Sequence, residues 1–139
     1  LALVSSEARS RNIQITLDAP KEVMIRGDLS QIQMVILNLL TNAMEAVRDN
    51  VDTKLIRVHS EVSHLGVELT VADNGSGINN KQLGQVFELF HSTKEQGMGV
   101  GLWLSRAIME LHGGSIGVAN PNEPGAVFRL MFPCPQTSR

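Results

Sequence analysis

The longest periodic segment of the sequence begins at Asp28 and continues to about Val47, and it has the pattern of an amphipathic helix. Asp28 is suited to cap such a helix, and Gln31 stands three positions later, at the spacing of a capping box. On a wheel of about 100° per residue with Asn38 at zero, the apolar side chains fill an arc from about 60° to about 200°. A helix with one apolar face packs against a second layer, which the rest of the chain has to supply.

The remaining segments predict a sheet and further helices. The runs with a strand pattern are residues 13–17, 23–26, 54–63, 67–72, 115–120 and 126–132. The further helical patterns are residues 1–11, 81–90 and 100–112. Three residues that include a glycine separate 54–63 from 67–72, which is typical of a hairpin. We therefore predict a mixed sheet with helices packed on one face, in one domain over residues 1–139.

Composition and charge exclude several classes of protein. The formal net charge of −2 lacks the basic excess of a nucleic-acid-binding protein. The single cysteine excludes a disulfide scaffold and a cysteine-based zinc site. The apolar runs are too short to span a membrane and residues 1–12 do not resemble a signal peptide, so we expect a cytoplasmic domain. Because the sequence opens at Leu1 inside a helical pattern and without a methionine, we expect it to be a piece of a longer protein.

Two glycine-rich segments, residues 73–77 and 97–102, are candidates for a phosphate-binding loop. Glycines at alternate positions allow backbone N–H groups to approach a ligand, and the second segment leads into a helix whose N-terminus favours anions. The chain has no Gly-Lys pair, which excludes a P-loop, and Leu102 stands where a Rossmann fingerprint needs glycine. The two segments therefore form either a phosphate site that is neither a P-loop nor a Rossmann loop, or plain connectors.

A polar stripe borders the apolar face of the long helix. Asn42, Glu45 and Gln31 lie within about 40° of Asn38 on the helical wheel. One interpretation is a solvated face that happens to use asparagine, which is a mediocre helix former. The other is a set of oxygen ligands, because amide oxygens suit a hard cation such as Mg²⁺ that bridges phosphates. Together with the glycine-rich segments, the stripe favours a nucleotide site.

Five segments in this order resemble the catalytic and ATP-binding domain of sensor histidine kinases. The segments are 38–46, 73–78, 87–90 followed by 92–94, 97–102 and 125–128. Within the wider family of gyrase, heat-shock chaperone and mismatch-repair ATPases, the pattern is most similar to nitrogen- and oxygen-responsive kinases. The resemblance implies an α+β fold of the Bergerat type: a two-layer α/β sandwich with a mixed, mostly antiparallel sheet and helices on one face.

The resemblance also implies roles for individual residues. Asn42 would bind the Mg²⁺ that bridges the ATP phosphates, Asp73 would accept the adenine amino group, and Lys94 would approach the terminal phosphates. Phe87 and Phe90 would anchor the ATP lid or simply pack in the core, and residues 91–100 are expected to be poorly ordered without nucleotide. The implied nucleotide-binding set is Asn42, Ala46, Asp73, Gly75, Gly77, Ile78, Lys94, Gly97, Gly99, Val100, Gly101 and Leu102. The implied catalytic set is Asn38, Glu45 and Lys94.

Two positions depart from the family pattern. Asn38 stands where gyrase-like relatives place the glutamate that activates water, and an amide cannot act as a base at neutral pH, so efficient hydrolysis is disfavoured. Glu45 stands where many histidine kinases carry a basic residue, which leaves more of the phosphate contact to Lys94. Glu45 itself would act through a water molecule or orient the acceptor.

The phosphoacceptor is missing from the sequence. None of the four histidines is followed by glutamate or lies in a helical hairpin, so we expect each to be structural or solvated. The resemblance implies as partners a dimerisation domain that carries the acceptor histidine and a response regulator, with no nucleic acid. We expect a monomeric domain cut from a homodimeric kinase, which binds ATP but transfers little phosphate alone. A nucleotide-sensing module and a gyrase-type hydrolytic ATPase stay open as alternatives.

Overall fold

The computed structural model describes residues 2–18, 27–88, 101–121 and 124–133, and for residues 2–5 the backbone alone. The helices are α1 (Ala2–Ser10), α2 (Leu29–Ala46) and α3 (Gly101–Leu111). The strands are β1 (Gln14–Asp18), β2 (Leu55–Ser63), β3 (Gly66–Asp73), β4 (Ser115–Ala119) and β5 (Val127–Pro133). The expected strand over 23–26 and the segment 91–100 lie outside the described residues.

The strands form one mixed sheet in the order β1-β2-β3-β5-β4. β1 runs parallel to β2, and every other neighbouring pair is antiparallel. The predicted hairpin between β2 and β3 is confirmed, with Ser63 opposite Gly66. The φ of Gly66 is 139°, a conformation that glycine adopts without strain. A parallel pair needs a long crossover, and α2 lies within the connection between β1 and β2.

One face of the sheet is apolar and covered by helices. On β2, β3 and β5 the side chains of Ile56, Val58, Val71, Phe128 and Leu130 are buried, and they alternate with residues that are less buried and lie on the opposite face. α1 contacts β1, α2 contacts β3 and α3 contacts β4. The opposite face carries an ion pair of Arg129 with Glu68 at 3.3 Å and a hydrogen bond between Nδ1 of His59 and the Asp18 carboxylate at 3.1 Å. The predicted arrangement of helices on one face of a mostly antiparallel sheet is confirmed.

The N-terminus of α2 is capped as predicted. The Asp28 side chain accepts the Gln31 N–H at 3.0 Å. A second bond ties this end to α3, because the Asp28 N–H donates to Nε2 of His112 at 3.0 Å while the Nδ1 of His112 donates to the Ile108 carbonyl at 2.8 Å. His112 therefore has the structural role that was expected of it, and it joins the start of α2 to the end of α3.

The helix predicted over 81–90 is not formed in its described part, residues 81–88. This segment is a series of turns in which Gln82 donates to Asn79 and Gln85 to Gln82, each three residues back. Gly84 has a low helix propensity at the centre of the segment. Tertiary contacts anchor the turns instead: Val86 is buried, and the ring of Phe87 packs edge-on against Phe128 with centroids 6.2 Å apart. Residues 89–90 lie outside the described residues.

Among the described residues, none of the helices α1, α2 and α3 has both the length and the apolar character that crossing a membrane requires.

Candidate functional site

Asp73 is the last residue of β3, and among the described residues it is the one acidic or basic side chain that is buried, with 7% of its surface exposed. Its backbone N–H donates to the Ala126 carbonyl at 3.0 Å, which continues the pairing with the β5 side of the sheet. Its carboxylate Oδ1 accepts the Gly75 N–H at 2.9 Å. The carboxylate is therefore held in one orientation by the backbone of the loop that follows it.

The loop after β3 touches the end of α2 through backbone atoms. A Cβ placed on Gly75 would lie 2.3 Å from the Ala46 carbonyl oxygen and 2.7 Å from the Ala46 carbonyl carbon. No side chain larger than hydrogen fits between these two backbones, which explains the glycine. The structure therefore brings together Ala46, Gly75 and Asp73, three residues of the predicted nucleotide-binding set.

Gly77 and Ile78 continue this loop towards the end of β4. Gly77 has a φ of 79°, which favours glycine, and it faces the Gly125 carbonyl. Ile78 donates its N–H to Oδ1 of Asn120 at 3.0 Å, and the Asn120 amide nitrogen donates back to the Ile78 carbonyl. Sequence reasoning missed Asn120, because only the turn composition of the segment after β4 could be read without the fold.

Asn74 is a second structural asparagine that sequence reasoning did not separate from its motif. Its Oδ1 accepts the Leu55 N–H at 2.9 Å and the Asn50 amide at 3.0 Å. Its amide nitrogen donates to the Thr53 carbonyl at 3.1 Å. These bonds fasten the connection between α2 and β2 to the end of β3, beside Asp73. The only signal in the sequence was an asparagine directly after a strand, which is equally typical of an ordinary turn.

Asn38 links α2 to the N-terminus of α3. Its amide nitrogen donates to the Gly101 carbonyl at 3.3 Å and to Oγ of Ser105 at 3.2 Å, and the Ser105 side chain is fully buried. Since both bonds use the nitrogen, the orientation of the Asn38 amide is fixed. Gly101 and Leu102 of the predicted set begin α3, whose first N–H groups have no partners within the helix.

Asn42 and Glu45 follow Asn38 along α2, and both side chains are half-buried. Glu45 forms an ion pair with Arg48, with 2.6 Å between Oε1 and Nη1. Arg48 was missed, although a spacing of three residues at a helix end is a readable signal for such a pair. The Glu45 carboxylate is therefore accompanied by the guanidinium of the neighbouring Arg48.

The structure describes some of the predicted site residues, and others lie outside the described ranges. The described members lie on the second half of α2, at the end of β3 with the loop that follows it, and at the start of α3: Asn38, Asn42, Glu45, Ala46, Asp73, Gly75, Gly77, Ile78, Gly101 and Leu102. Lys94, Gly97, Gly99 and Val100 lie outside the described residues. Over the described ranges, no three His, Cys, Asp or Glu side chains are grouped to hold a metal ion by themselves. The side chains near α3 that could coordinate a metal are amides, and amide oxygens fit a Mg²⁺ ion that takes most of its ligands from phosphate and water.

The sequence profile of the histidine kinase-, DNA gyrase B-, and HSP90-like ATPases matches residues 27–136, which is most of the chain. The chain belongs to this family. It is 37% identical over 134 residues to the sensor protein FixL of Bradyrhizobium diazoefficiens, a match that covers 95% of this chain and 26% of FixL. It is also 37% identical over 134 residues to the sensor histidine kinase ZraS of Escherichia coli K12, covering 96% of this chain and 28% of ZraS.

Solved structures show the same fold. The nucleotide-free catalytic domain of the histidine kinase ThkA is 33% identical and superposes with a TM-score of 0.86, over 95% of this chain and 86% of that domain. A second ThkA structure, in complex with the response regulator TrrA, is 28% identical with a TM-score of 0.80, over 96% of this chain and 38% of ThkA. The chain spans about a quarter of the length of the curated relatives it matches.

Proposed function

We propose that this chain is the ATP-binding catalytic domain of a sensor histidine kinase, and that it donates the γ-phosphate of ATP to a histidine on a separate domain. The observation that carries the proposal is that α2 contacts both other elements: the loop after the buried carboxylate of β3, at Gly75, and the N-terminus of α3, at Gly101. The family match and the sensor-kinase relatives support this assignment.

Asp73 is the residue that would recognise the adenine base. A buried carboxylate that is oriented by the Gly75 N–H presents an acceptor of fixed direction, which suits the amino group of adenine. The contact between Gly75 and Ala46 closes the loop against α2, so the base would meet backbone rather than bulky side chains. Ile78 would contribute an apolar surface beside it.

Asn42 and the start of α3 are the groups that would serve the phosphates. The Asn42 amide oxygen would hold a Mg²⁺ ion that bridges the phosphates, and such an ion neutralises the charge that develops during phosphoryl transfer. The N–H groups at the start of α3, at Gly101 and Leu102, would bind phosphate oxygens. Four further residues belong to the proposed nucleotide-binding set because of the sequence motifs alone: Lys94, Gly97, Gly99 and Val100.

Transfer is favoured over hydrolysis by the chemistry of Asn38. Its amide nitrogen is engaged with Gly101 and Ser105, and an amide is not a base at neutral pH, so it cannot activate a water molecule. Glu45 is paired with Arg48 and would contact the site only through water or orient the acceptor.

The phosphoacceptor would lie on a dimerisation domain elsewhere in a homodimeric parent kinase, on the cytoplasmic side. His59 contacts Asp18 on the outer face of the sheet, and His112 is bonded between two helices, so neither is placed for the role. The complex of ThkA with TrrA supports a response regulator as the downstream partner. Tethering the acceptor to this domain would supply the positioning on which phosphoryl transfer depends.

Calorimetric titration with MgATP tests the first half of the proposal. We expect the parent chain to bind, and Asp73→Asn to bind at least about tenfold more weakly, because the adenine amino group loses a charged acceptor. Asn80→Ala, an exposed change, is the matched control and should bind as the parent does. A parent that fails to bind MgATP, or an Asp73→Asn variant that binds equally well, would refute the assignment.

Labelled ATP and a separately expressed acceptor hairpin test the second half. An acid-labile, base-stable label on the hairpin is the expected result, since phosphohistidine has that stability. ATP binding without transfer would indicate a nucleotide-sensing module, and rapid phosphate release without the hairpin would indicate a hydrolytic ATPase.

A further inference from the structure

Asn120 leaves the sheet at the same edge as Asp73. Ala119, the last residue of β4, pairs with Val127 of β5, and Val127 pairs with Ala72 of β3. Asn120 follows Ala119 as Asp73 follows Ala72, so the two residues lie at the same end of the sheet with one strand between them. Asn120 is half-buried there.

The Asn120 side chain forms hydrogen bonds with the backbone of the loop after β3 as a neighbouring strand would. Its Oδ1 accepts the Ile78 N–H at 3.0 Å, and its amide nitrogen donates to the Ile78 carbonyl. A side-chain amide that exchanges two hydrogen bonds with one residue's backbone mimics the paired bonds of an antiparallel ladder. Within the ranges that the structure describes, neither the N–H nor the carbonyl of Ile78 forms a hydrogen bond with another backbone group.

Backbone contacts hold the rest of this loop. On one side the Gly75 backbone lies against Ala46, with 2.3 Å between a hypothetical Cβ and the Ala46 oxygen. On the other side Gly125, with a φ of 121°, approaches Asp73 so closely that a Cβ would lie 1.9 Å from the Asp73 carbonyl oxygen. Both contacts act near the start of the loop. The two bonds from Asn120 act at its far end.

We propose that Asn120 is a positioning residue for base recognition, which acts by fixing the loop of residues 75–78 so that the Gly75 N–H keeps the Asp73 carboxylate in place. The inference rests on the proposed nucleotide-binding function. The chain of contacts runs from Asn120 to Ile78, through the loop to Gly75, and from the Gly75 N–H to Asp73. When Asn120 is lost, the far end of the loop is released and the carboxylate loses its fixed orientation. Binding energy that depends on the adenine amino group then falls.

The experiment compares two nucleotides that differ only in that amino group. MgATP and Mg-purine riboside triphosphate, which lacks the 6-amino group, are titrated into the parent and into Asn120→Ala, Asn120→Asp and Asn80→Ala. We expect Asn120→Ala to weaken MgATP binding about tenfold and the analogue about twofold or less, so that discrimination between them falls about fivefold. Asn120→Asp keeps the acceptor for the Ile78 N–H but places an oxygen against the Ile78 carbonyl, so it should lose discrimination as well. Asn80→Ala removes only a 3.4 Å contact with Asn120 and should resemble the parent.

Amide hydrogen exchange at Ile78 without nucleotide is the second readout. We expect slow exchange in the parent and Asn80→Ala, and faster exchange in Asn120→Ala while the central strands stay protected. A purely structural loss would instead lower the melting temperature and weaken both nucleotides in parallel. Unchanged discrimination in a folded Asn120→Ala variant, or fast Ile78 exchange in the parent, would overturn the role of Asn120. Failure of the parent to bind either nucleotide would overturn the proposed function, and the role of Asn120 in base recognition would then be refuted as well.

Discussion

Gly75→Ala tests whether the close approach of the loop to α2 shapes the site. The added Cβ would lie 2.3 Å from the Ala46 carbonyl oxygen, whereas non-bonded heavy atoms favour a separation of about 3.5 Å, so the loop and the helix end have to separate by roughly 1 Å. Both contacting groups are backbone and cannot rotate away. Gly75 has no positive φ, so the substitution introduces a steric effect without backbone strain.

The expected size of the effect follows from this geometry. Overpacking of this kind costs about 1–3 kcal/mol. An unfolding entropy of about 2.1 cal/mol/K per residue means that each kcal/mol lowers the melting temperature of a chain of 139 residues by about 3–4 °C, so a decrease of about 3–12 °C is expected in a thermal scan. Because the Gly75 N–H also orients the Asp73 carboxylate, moving the loop should weaken MgATP binding at least about tenfold in calorimetry.

Gly84→Ala is the matched control for this experiment. A Cβ on Gly84 meets no atom within 4 Å, and Gly84 has no positive φ. Alanine there should raise stability by about 0.4–1 kcal/mol through the entropy of the unfolded chain and leave MgATP binding unchanged. A Gly75→Ala variant with the melting temperature and MgATP affinity of the parent would refute the steric argument.

Three further predictions concern buried polar groups and the metal. Ser60→Ala should stabilise the fold by about 1 kcal/mol in chemical denaturation, because the buried Ser60 hydroxyl has no hydrogen-bond partner among the described residues; a loss of stability would reveal a partner. Asn38→Leu should cost about 1–3 kcal/mol and speed amide exchange over residues 105–108, the first hydrogen-bonded N–H groups of α3, because it leaves the Ser105 hydroxyl buried without its donor; exchange at the parent rate would contradict this. Asn42→Ala should abolish the Mg²⁺ dependence of ATP binding, and a persisting dependence would place the metal elsewhere.

The elements of the fold could be predicted because each has a local signal. The alternation in 54–63 and 67–72 became β2 and β3 within a residue or two, and the apolar arc after Asp28 became α2. These patterns record burial on one face, which is the property that decides secondary structure. The segment 81–88 was predicted wrongly, because its apolar residues have helical spacing but are buried by Phe128 and the sheet rather than by a regular helix.

The motifs in the sequence name the proposed site residues, whereas the residues that support the loop after β3 have no motif. In the structure α2 contacts that loop at Gly75 and the start of α3 at Gly101. Asn74 and Asn120 were missed because their partners lie 19 to 42 positions away, at Leu55 and Ile78. No local pattern encodes such a pairing, since it depends on the order of strands in the sheet.

Among the described residues, the side chains of Asn120, Asn74 and Asn38 join separate elements at this site, and the chemistry of the amide group explains why asparagine serves there. Asn120 and Asn74 each donate and accept at once, and so satisfy both a backbone N–H and a carbonyl from one short side chain. Aspartate accepts only, and in these places it would set a charge against a carbonyl oxygen. Asn38 donates twice to α3, which a carboxylate could not do. The neutral amide of Asn38 therefore holds the start of α3 and, by the same chemistry, supplies no base for water at that position.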